Sequence, residues 1–478
     1  MTDLPPARRE ARRPNAALAA ALSFVLPGLG QAYAGRTRLG LLFAAPILIL
    51  LGLILGALLM GTEILLRSLI VPGALAAVLV LNIGLLAWRL VAIGEAGLRP
   101  IPNGRRTPAT VAVVVLLMVV TVGMHTWLAT ATVAADRALA RIFDPPAGSS
   151  YEPPSSAHPD PSDPTYGWDG TERVNFLLIG LDSGPGRADE NTDTLLVASI
   201  DPVSRSAALI SVPRDTGFVP LPDRRIYAGG VFPRRVNELA SAANGDPALW
   251  CPELPAGEDC GVSTLRRSIG LYLGLEIQHV AWVDLLGFAA LVDAMGGIEL
   301  CLPGTLEDPR YGGPTWEGRG IVLEAGCHHY DGAHALAFAR IRQGTMTMPD
   351  GTVETQDDFL RAARQQEFLL AFQQRVAATN LVIALPGLLS AVSETVTTDF
   401  PRSQAGNLAS LAPLIASEDV ERVVLGWPGY VDLPINPQAY YLLIPRRDAL
   451  RVEMANLVGD ESALVGWYLA SLEDGPPS

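Results

Sequence analysis

Apolar residues are spread unevenly along this chain. Before about residue 135 they run almost unbroken, and after it they alternate with polar positions in short periods. Leu39–Met60, Leu69–Ile93 and Thr110–Ala131 are long and nearly uncharged. Each supplies the roughly 20 residues that a bilayer-spanning helix needs. Ala16–Ala34 is apolar too, but Pro27-Gly28-Leu29-Gly30-Gln31 interrupts it, which predicts a re-entrant or interfacial segment. Pro145 to Gly170 is dense in Pro, Ser, Asp and Gly without apolar periodicity and reads as a stalk.

From Arg173 the pattern becomes that of a globular domain. Val174–Gly180, Thr194–Ile200 and Ala207–Val212 read as strands, the last two joined by the turn Asp201-Pro202-Val203-Ser204. Helical spacing follows at Val262–Leu273, Leu285–Met295, Ala333–Ile341 and Asp357–Ala378, with strands at Val280–Val283, Ile298–Leu302 and Ile321–Leu323 between them. Glu421–Leu425 and Tyr440–Ile444 continue the pattern. Strands alternating with helices predict a layered α/β domain behind an all-α membrane region. The organisation expected is an N-terminus with the interrupted segment (1–38), three spans (39–132), a Pro-rich linker (133–172), an α/β catalytic domain (173–400) and its C-terminal continuation (401–478).

Charge gives the chain a direction. Arg8, Arg9, Arg12, Arg13, Arg36 and Arg38 precede the first span, and Arg99, Arg105 and Arg106 lie between the second and third. Basic flanks favour the cytoplasmic side, so an even number of crossings separates these two groups and the third span exports the rest of the chain. A cleavable signal peptide does not fit an interrupted apolar stretch ahead of further spans. The formal net charge is −14 and every basic side chain is Arg, with no Lys. An acidic exported domain offers no broad basic face for nucleic acid. All four cysteines, Cys251, Cys260, Cys301 and Cys327, lie in the exported part. They lack CxxC spacing and suit disulfides in an oxidising compartment. Cys251 with Cys260 would close a short loop and Cys301 with Cys327 a longer one, though spacing leaves all three connectivities open.

The chemistry lies in arginines. In Asp357-Asp358-Phe359-Leu360-Arg361-Ala362-Ala363-Arg364-Gln365-Gln366, the residues Arg361, Arg364 and Gln365 share one helix face. Two guanidiniums and an amide suit phosphate oxygens. Arg340 and Arg342 end another helical segment, and Arg214, beside Asp215, follows a strand. Such a set points to a ligand with several negative charges, such as a pyrophosphate. Asp182 after the first strand and Asp193 at the start of the next are two carboxylates that suit a hard divalent cation, Mg²⁺ or Mn²⁺. Plainer readings exist for each: an Asx-turn for a lone Asp, a surface pair for Arg214 and Asp215, pairing of Arg361 and Arg364 with Asp357 and Asp358, and solvated helix-end cations for Arg340 and Arg342. The last two converge only if the helix ends between them, as Gln343-Gly344 suggests. His328-His329 has no second cluster at zinc-ligand spacing.

These motifs, in this order, resemble the LytR-CpsA-Psr (LCP) family of cell-wall phosphotransferases. The resemblance runs from Phe176-Leu-Leu-Ile-Gly-Leu-Asp182-Ser through Thr192-Asp193-Thr-Leu, Ser211-Val-Pro-Arg214-Asp215-Thr and Arg235-Val-Asn237. It continues through Asp331-Gly-Ala-His-Ala-Leu-Ala-Phe-Ala-Arg340-Ile-Arg342 and Asp358-Phe-Leu-Arg361-Ala-Ala-Arg364-Gln365-Gln366. The surroundings of Cys301 and Cys327 look like those of actinobacterial members. The resemblance implies an extracytoplasmic domain with a central mixed sheet flanked by helices. It also implies transfer of a glycopolymer from a polyprenyl-pyrophosphate carrier to a muramic acid hydroxyl of peptidoglycan through a phosphodiester. Carried over residue by residue, Asp182 and Asp193 hold Mg²⁺. Arg214, Arg340, Arg342, Arg361 and Arg364 grip the phosphates with Gln365 or Gln366, and Asp182, Asp193, Arg214 and Arg340 form the catalytic set. The lipid tail lies in an apolar channel. One departure concerns Asn191-Thr192-Asp193, where many members place an Arg first; Arg187 is the nearest substitute. Two other functions fit the same site: a lipid pyrophosphatase passing the phosphate to water, and a non-catalytic wall regulator or glycan sensor. The interrupted segment around Leu26–Gly35 reads as an elaborate anchor ahead of the alternative, a contact with the carrier lipid or a flippase.

Overall fold

The N-terminal region carries α1 (Ala16–Val25), α2 (Leu29–Tyr33), α3 (Thr37–Met60), α4 (Ala74–Leu98) and α5 (Pro108–Phe143), with residues 68–70 helical as well. The computed structural model describes residues 14–60, 68–99, 107–143, 173–181, 192–254, 259–312, 320–378, 391, 395–405, 420–434 and 441–458. Two compact units make up the chain, Met1–Asp136 and Arg137–Ser478.

In the first unit, three helices are long and apolar enough to cross a membrane: α3, α4 and α5. The second begins at Ala74, five residues after the expected Leu69, because a turn occupies Val71–Gly73. The third extends to Phe143, well past Ala131. Its 36 residues, at about 1.5 Å each, outrun a hydrocarbon core of roughly 30 Å. The surplus is polar helix carrying Asp136, Arg137 and Arg141, which hydropathy alone does not mark as part of the element.

The interrupted segment is a helical hairpin. Asn15 Oδ1 caps α1 by accepting from Ala17 and Leu18 N–H. The chain then turns at Gly28, whose φ of +103° places it in the left-handed region and whose Cβ, if it had one, would collide with the Gly40 carbonyl oxygen. A polar clasp locks the turn. Ser23 Oγ donates to Gln31 Oε1 at 2.9 Å, Gly30 N–H donates to Ser23 Oγ, and Gln31 Nε2 donates to the Ala92 carbonyl on α4. Ala20, Ile93 and Val114 pack beside it. Within the spans, His125 pairs with Asn82 and Trp88 Nε1 donates to the Phe43 carbonyl, as polar groups away from water must find partners.

The second unit is built on a six-stranded mixed sheet. Its strands are β1 (Val174–Leu181), β2 (Thr192–Asp201), β3 (Ser206–Ser211), β6 (His279–Asp284), β13 (Val396–Thr398) and β14 (Glu421–Val424), in the order β13-β6-β1-β2-β3-β14. The short strands β4 (Val219–Pro220) and β5 (Val231–Phe232) pair with each other. β1 is parallel to β6 and antiparallel to β2, β2 is antiparallel to β3, and β3 is parallel to β14. The carboxyl ends of β1, β3, β6 and β14 therefore share one edge with the start of β2. That edge is where open α/β sheets place their ligands.

Period-2 alternation divides the sheet's faces. Leu177, Ile179, Val197 and Ile210 are buried against α6 (Leu239–Gly245) and α7 (Cys260–Leu273) through Leu239, Leu265 and Ile269. On the other face lie α8 (Leu285–Ala294), α9 (Gly332–Arg340) and α10 (Asp358–Ala378); α10 reaches the sheet at Leu209 and Ser211, which alternate with Ala208 and Ile210. A second core of Val292, Leu300, Phe338 and Phe368 joins these helices to β7 (Ile298–Leu302) and β10 (Gly326–Tyr330). A four-stranded sheet of β8 (Thr305–Asp308), β9 (Ile321–Leu323), β11 (Thr345–Thr347) and β12 (Val353–Thr355) lies alongside. Beyond β14 come β15 (Val431–Asp432), β16 (Ile444–Pro445) and α11 (Arg447–Val458).

The disulfides are Cys251–Cys260, which ties the preceding segment to the first residue of α7, and Cys301–Cys327, which joins directly opposed residues of β7 and β10. The second ties positions 26 apart. Cross-linking a loop of that length restricts the unfolded chain by about 3 kcal/mol. Replacing Cys301 and Cys327 together by Ser should therefore lower the stability of the second unit by about 3 kcal/mol. A thermal melt of the purified chain checks this, and reductant on the parent protein, which opens both disulfides, should lower the melt at least as far.

Candidate functional site

At the carboxyl edge, β3 gives way to the turn that carries Arg214. Val212 N–H extends the ladder to the Leu195 carbonyl, Pro213 brings no N–H, and Thr216 N–H closes a turn onto the Pro213 carbonyl. The segment after the turn straps it down, with Val236 N–H on the Thr216 carbonyl and Asn237 N–H on the Arg214 carbonyl. Arg214 and Asp215 are thus held at the sheet edge by backbone bonds from both sides.

Three elements meet there. Arg214 Nε lies 3.5 Å from Asp358 Oδ1, at the first turn of α10. Arg361 Nη2 lies 2.9 Å from the same oxygen. One carboxylate therefore holds two guanidiniums that are far apart in sequence. Asp215 sits behind them, 3.5 Å from Arg235 Nη1, while its contact with Arg214 is looser, at 3.9 Å. These side chains are largely buried, Arg361 to 7% exposure, so the pairs are not the solvent-screened surface kind. Burial raises the Asp215 carboxyl above its ordinary range, and the neighbouring Asp358 adds to the rise against the opposing pull of Arg214 and Arg235.

The expected residues of α10 divide into two jobs. Arg361 faces the Asp358 site. Arg364 points inward: Nε donates to the Phe338 carbonyl at 2.9 Å, Nη2 to the Ile341 carbonyl and Nη1 to Gln356 Oε1. Gln365 Nε2 donates to the Ala339 carbonyl at 3.2 Å. These are the carbonyls that the end of α9 leaves without helical partners, so Arg364 and Gln365 cap α9 from a neighbouring helix. Burial draws the Arg364 guanidinium down to about 10, which leaves it charged at neutral pH. Gln366 Nε2 is buried between strands, bonded to the Leu209 carbonyl, Ser211 Oγ and the Val423 carbonyl. It pins α10 to the sheet.

This cap also sets where α9 stops. Ile341 leaves helical geometry, with φ −59° and ψ 126°, and its side chain is buried. The helix therefore ends between Arg340 and Arg342, the condition under which two arginines at that spacing can converge. Nη1 of Arg342 is buried without a hydrogen-bond partner among the described residues. Asp182 lies outside the described residues, as do Arg187 and Asn191. Asp193 is placed by its backbone: β1 and β2 pair Leu181 with Thr192 and Gly180 with Thr194, so it stands at the start of β2 on the site edge. Among the described residues no group of three or more His, Cys, Asp or Glu side chains is placed to hold a metal. His328 and His329 bond backbone carbonyls, those of Ala325 and Gly296.

Two residues to which the sequence pattern assigns no role belong to the site. Arg235 supports Asp215 and Glu238; its motif is recognisable, but its partners are not. Tyr441 arrives on a strand segment bound to the Arg214 turn, where Leu443 N–H donates to the Asp215 carbonyl and Gly217 N–H donates to the Leu443 carbonyl, both at 2.9 Å. Its phenol is raised by burial and then by the charges of Asp215, Asp357 and Asp358, which places it in their field. No local pattern around Tyr441 announces this.

A family model described as the LytR_cpsA_psr family matches residues 149–451. The chain is similar to the cell wall biosynthesis protein LcpA of Corynebacterium glutamicum, 27% identical over 229 residues, 47% of this chain and 40% of that protein. The chain thus spans about two fifths of the length of that relative. It is also similar to a polyisoprenyl-teichoic acid–peptidoglycan teichoic acid transferase, TagU, of Halalkalibacterium halodurans, 25% identical over 64% of this chain and 86% of that one. The crystal structure of B. subtilis TagV superposes with a TM-score of 0.43 and 21% identity, covering 60% of this chain and 98% of that chain.

Arg364→Met leaves the Phe338 and Ile341 carbonyls and the Gln356 amide without their donor. It should destabilise the second unit by about 3 kcal/mol, seen as a lowered melting temperature. Arg364→Lys should not restore stability, because one ammonium cannot reach three diverging acceptors.

Proposed function

The chain belongs to the LytR_cpsA_psr family, and from that premise we propose that it is a membrane-anchored phosphotransferase. In this reading it moves a glycopolymer from a polyprenyl-pyrophosphate carrier to a hydroxyl of peptidoglycan. The observation that carries the reading is the convergence of Arg214 and Arg361 on Asp358 at the carboxyl edge of the sheet. The function of the related TagU, transfer of teichoic acid to peptidoglycan, supports it. The N-terminus faces the cytoplasm and the second unit lies outside, in agreement with the arginine distribution and with two disulfides in that unit.

The chemistry follows from charge. A pyrophosphate brings several negative oxygens together, and attack on it needs neutralisation and in-line positioning more than covalent help. Arg214 and Arg361 meet the phosphate oxygens, with Arg340 and Arg342 approaching from the end of α9. Arg364, Gln365 and Gln366 hold α9, α10 and the sheet so that these guanidiniums are already in place, and reorganisation at the moment of reaction is small. The acceptor hydroxyl oxygen attacks the phosphorus that carries the glycopolymer. The bond to the bridging oxygen breaks, polyprenyl monophosphate leaves with the electron pair, and the hydroxyl proton passes to a carboxylate of the site. Asp182 and Asp193 would hold a Mg²⁺ or Mn²⁺ ion, which when bound would supply further charge neutralisation. Both are hard oxygen donors, and the β1–β2 register brings the chain positions at Leu181 and Thr192 side by side, which suits that role.

Incubation of the full chain with a lipid-linked polymer and peptidoglycan tests the reading. Polymer covalently attached to peptidoglycan is the expected product, while free polymer phosphate identifies a pyrophosphatase and no turnover a regulator. Arg214→Ala and Arg361→Ala should each weaken polyprenyl-pyrophosphate binding by about 10- to 100-fold, the equivalent of losing a charge-assisted hydrogen bond or two. Asp182→Ala with Asp193→Ala, or a chelator, should stop attachment.

A further inference from the structure

One buried oxygen beside the Arg214 turn lacks a partner, and its chemistry restricts what can supply one. Asn237 is 7% exposed, and its Oδ1 is buried with no hydrogen-bond partner among the described residues. Buried polar atoms in folded proteins are almost always paired, so an orphan at a functional edge calls for a ligand, an ion or water. An amide oxygen has lone pairs and no proton, and can only accept. The oxygens of a pyrophosphate offer it nothing, which sets Asn237 apart from the arginines that meet the anion.

The backbone holds this residue in a fixed place. Asn237 lies in the single turn Val236–Glu238, which packs on β2. Val236 N–H donates to the Thr216 carbonyl at 2.8 Å, and Asn237 N–H to the Arg214 carbonyl at 3.2 Å. Leu196 pairs with Ser211 and Val212 N–H donates to the Leu195 carbonyl, so the chain after β3 leaves alongside the start of β2, where Asp193 stands. The neighbouring guanidiniums do not serve the amide oxygen. Arg235 turns to Asp215 and Glu238, and Arg214 to Asp358. Thr192 Oγ1 and Thr216 Oγ1 are also buried without hydrogen-bond partners, and Thr192 is next in the chain to Asp193. Spare oxygens from three segments at one edge suit a hard cation. Two carboxylates leave most positions of an octahedral ion to other oxygens, so a neutral protein oxygen has room there.

We propose that the Asn237 side-chain oxygen is a further ligand of the divalent cation that Asp182 and Asp193 would hold, directly or through one water of the ion's shell. An amide adds an oxygen without adding negative charge, which preserves the ion's pull on a pyrophosphate. The assignment rests on the metal reading of Asp182 and Asp193.

Binding of Mn²⁺ to the full chain in detergent, followed by the paramagnetic resonance of the free ion, tests this without any turnover. Asn237→Ala should weaken Mn²⁺ binding by about tenfold, the cost of losing an oxygen that supports a bound ion. Asn237→Asp keeps an oxygen at that place and should bind Mn²⁺ at least as well as the parent chain. In EDTA, bare octaprenyl pyrophosphate should bind Asn237→Ala and the parent equally, which shows that the fold and the anion site are intact. The proposal is overturned if Asn237→Ala binds Mn²⁺ as the parent does, or if Asn237→Asp fails to recover the loss. It is overturned too if Asn237→Ala loses lipid affinity in EDTA, which would mark the amide as a phosphate donor. Mn²⁺ binding that survives Asp182→Ala with Asp193→Ala sinks the metal reading and this ligand with it, a result distinct from failure at Asn237 alone.

Discussion

One carboxylate organises the site. Arg214 and Arg361 carry like charges and come from a strand-end turn and a helix; brought together in a partly buried place, they repel unless something negative lies between them. Asp358 does this from the first turn of α10, where its charge also suits the positive end of the helix. The arrangement places two guanidiniums on one carboxylate at the sheet edge. Phosphate oxygens would then add to an existing pattern of charge rather than create one.

Behind that pair, arginine does structural work. Arg364 and Gln365 complete the carbonyls at the end of α9, and Gln366 joins α10 to β3 and β14. The motif around α10 therefore mixes a residue that faces Asp358 with residues that hold the frame. Arg361 is itself buried against Asp358, so its loss, like loss of the frame, bears on stability. Function and stability lie within one helical turn of each other here.

Much of this was legible in the chain, for identifiable reasons. The three long apolar runs stand out because hydropathy measures the property a membrane selects. β1, β2 and β3 were readable from their apolar runs, and α10 from its periodicity. β8, β11 and β12 were not, since three- and four-residue strands with residues such as Glu354 and Thr355 carry no apolar alternation. Helical spacing placed Arg361 and Arg364 on one face, but it could not tell that one guanidinium would turn to Asp358 and the other toward the end of α9. Which way a side chain turns depends on what the rest of the chain brings alongside. Tyr441 was silent for the same reason, because its importance comes from a pairing with residues more than two hundred positions earlier.

That pairing has a consequence for how the protein comes into being. The segment around Leu443 is made more than two hundred residues after the Arg214 turn that it backs. A growing chain thus has its first arginine well ahead of the wall that backs it. Arg214 and Asp215 gain the backbone bonds of that segment only once residue 443 has been made.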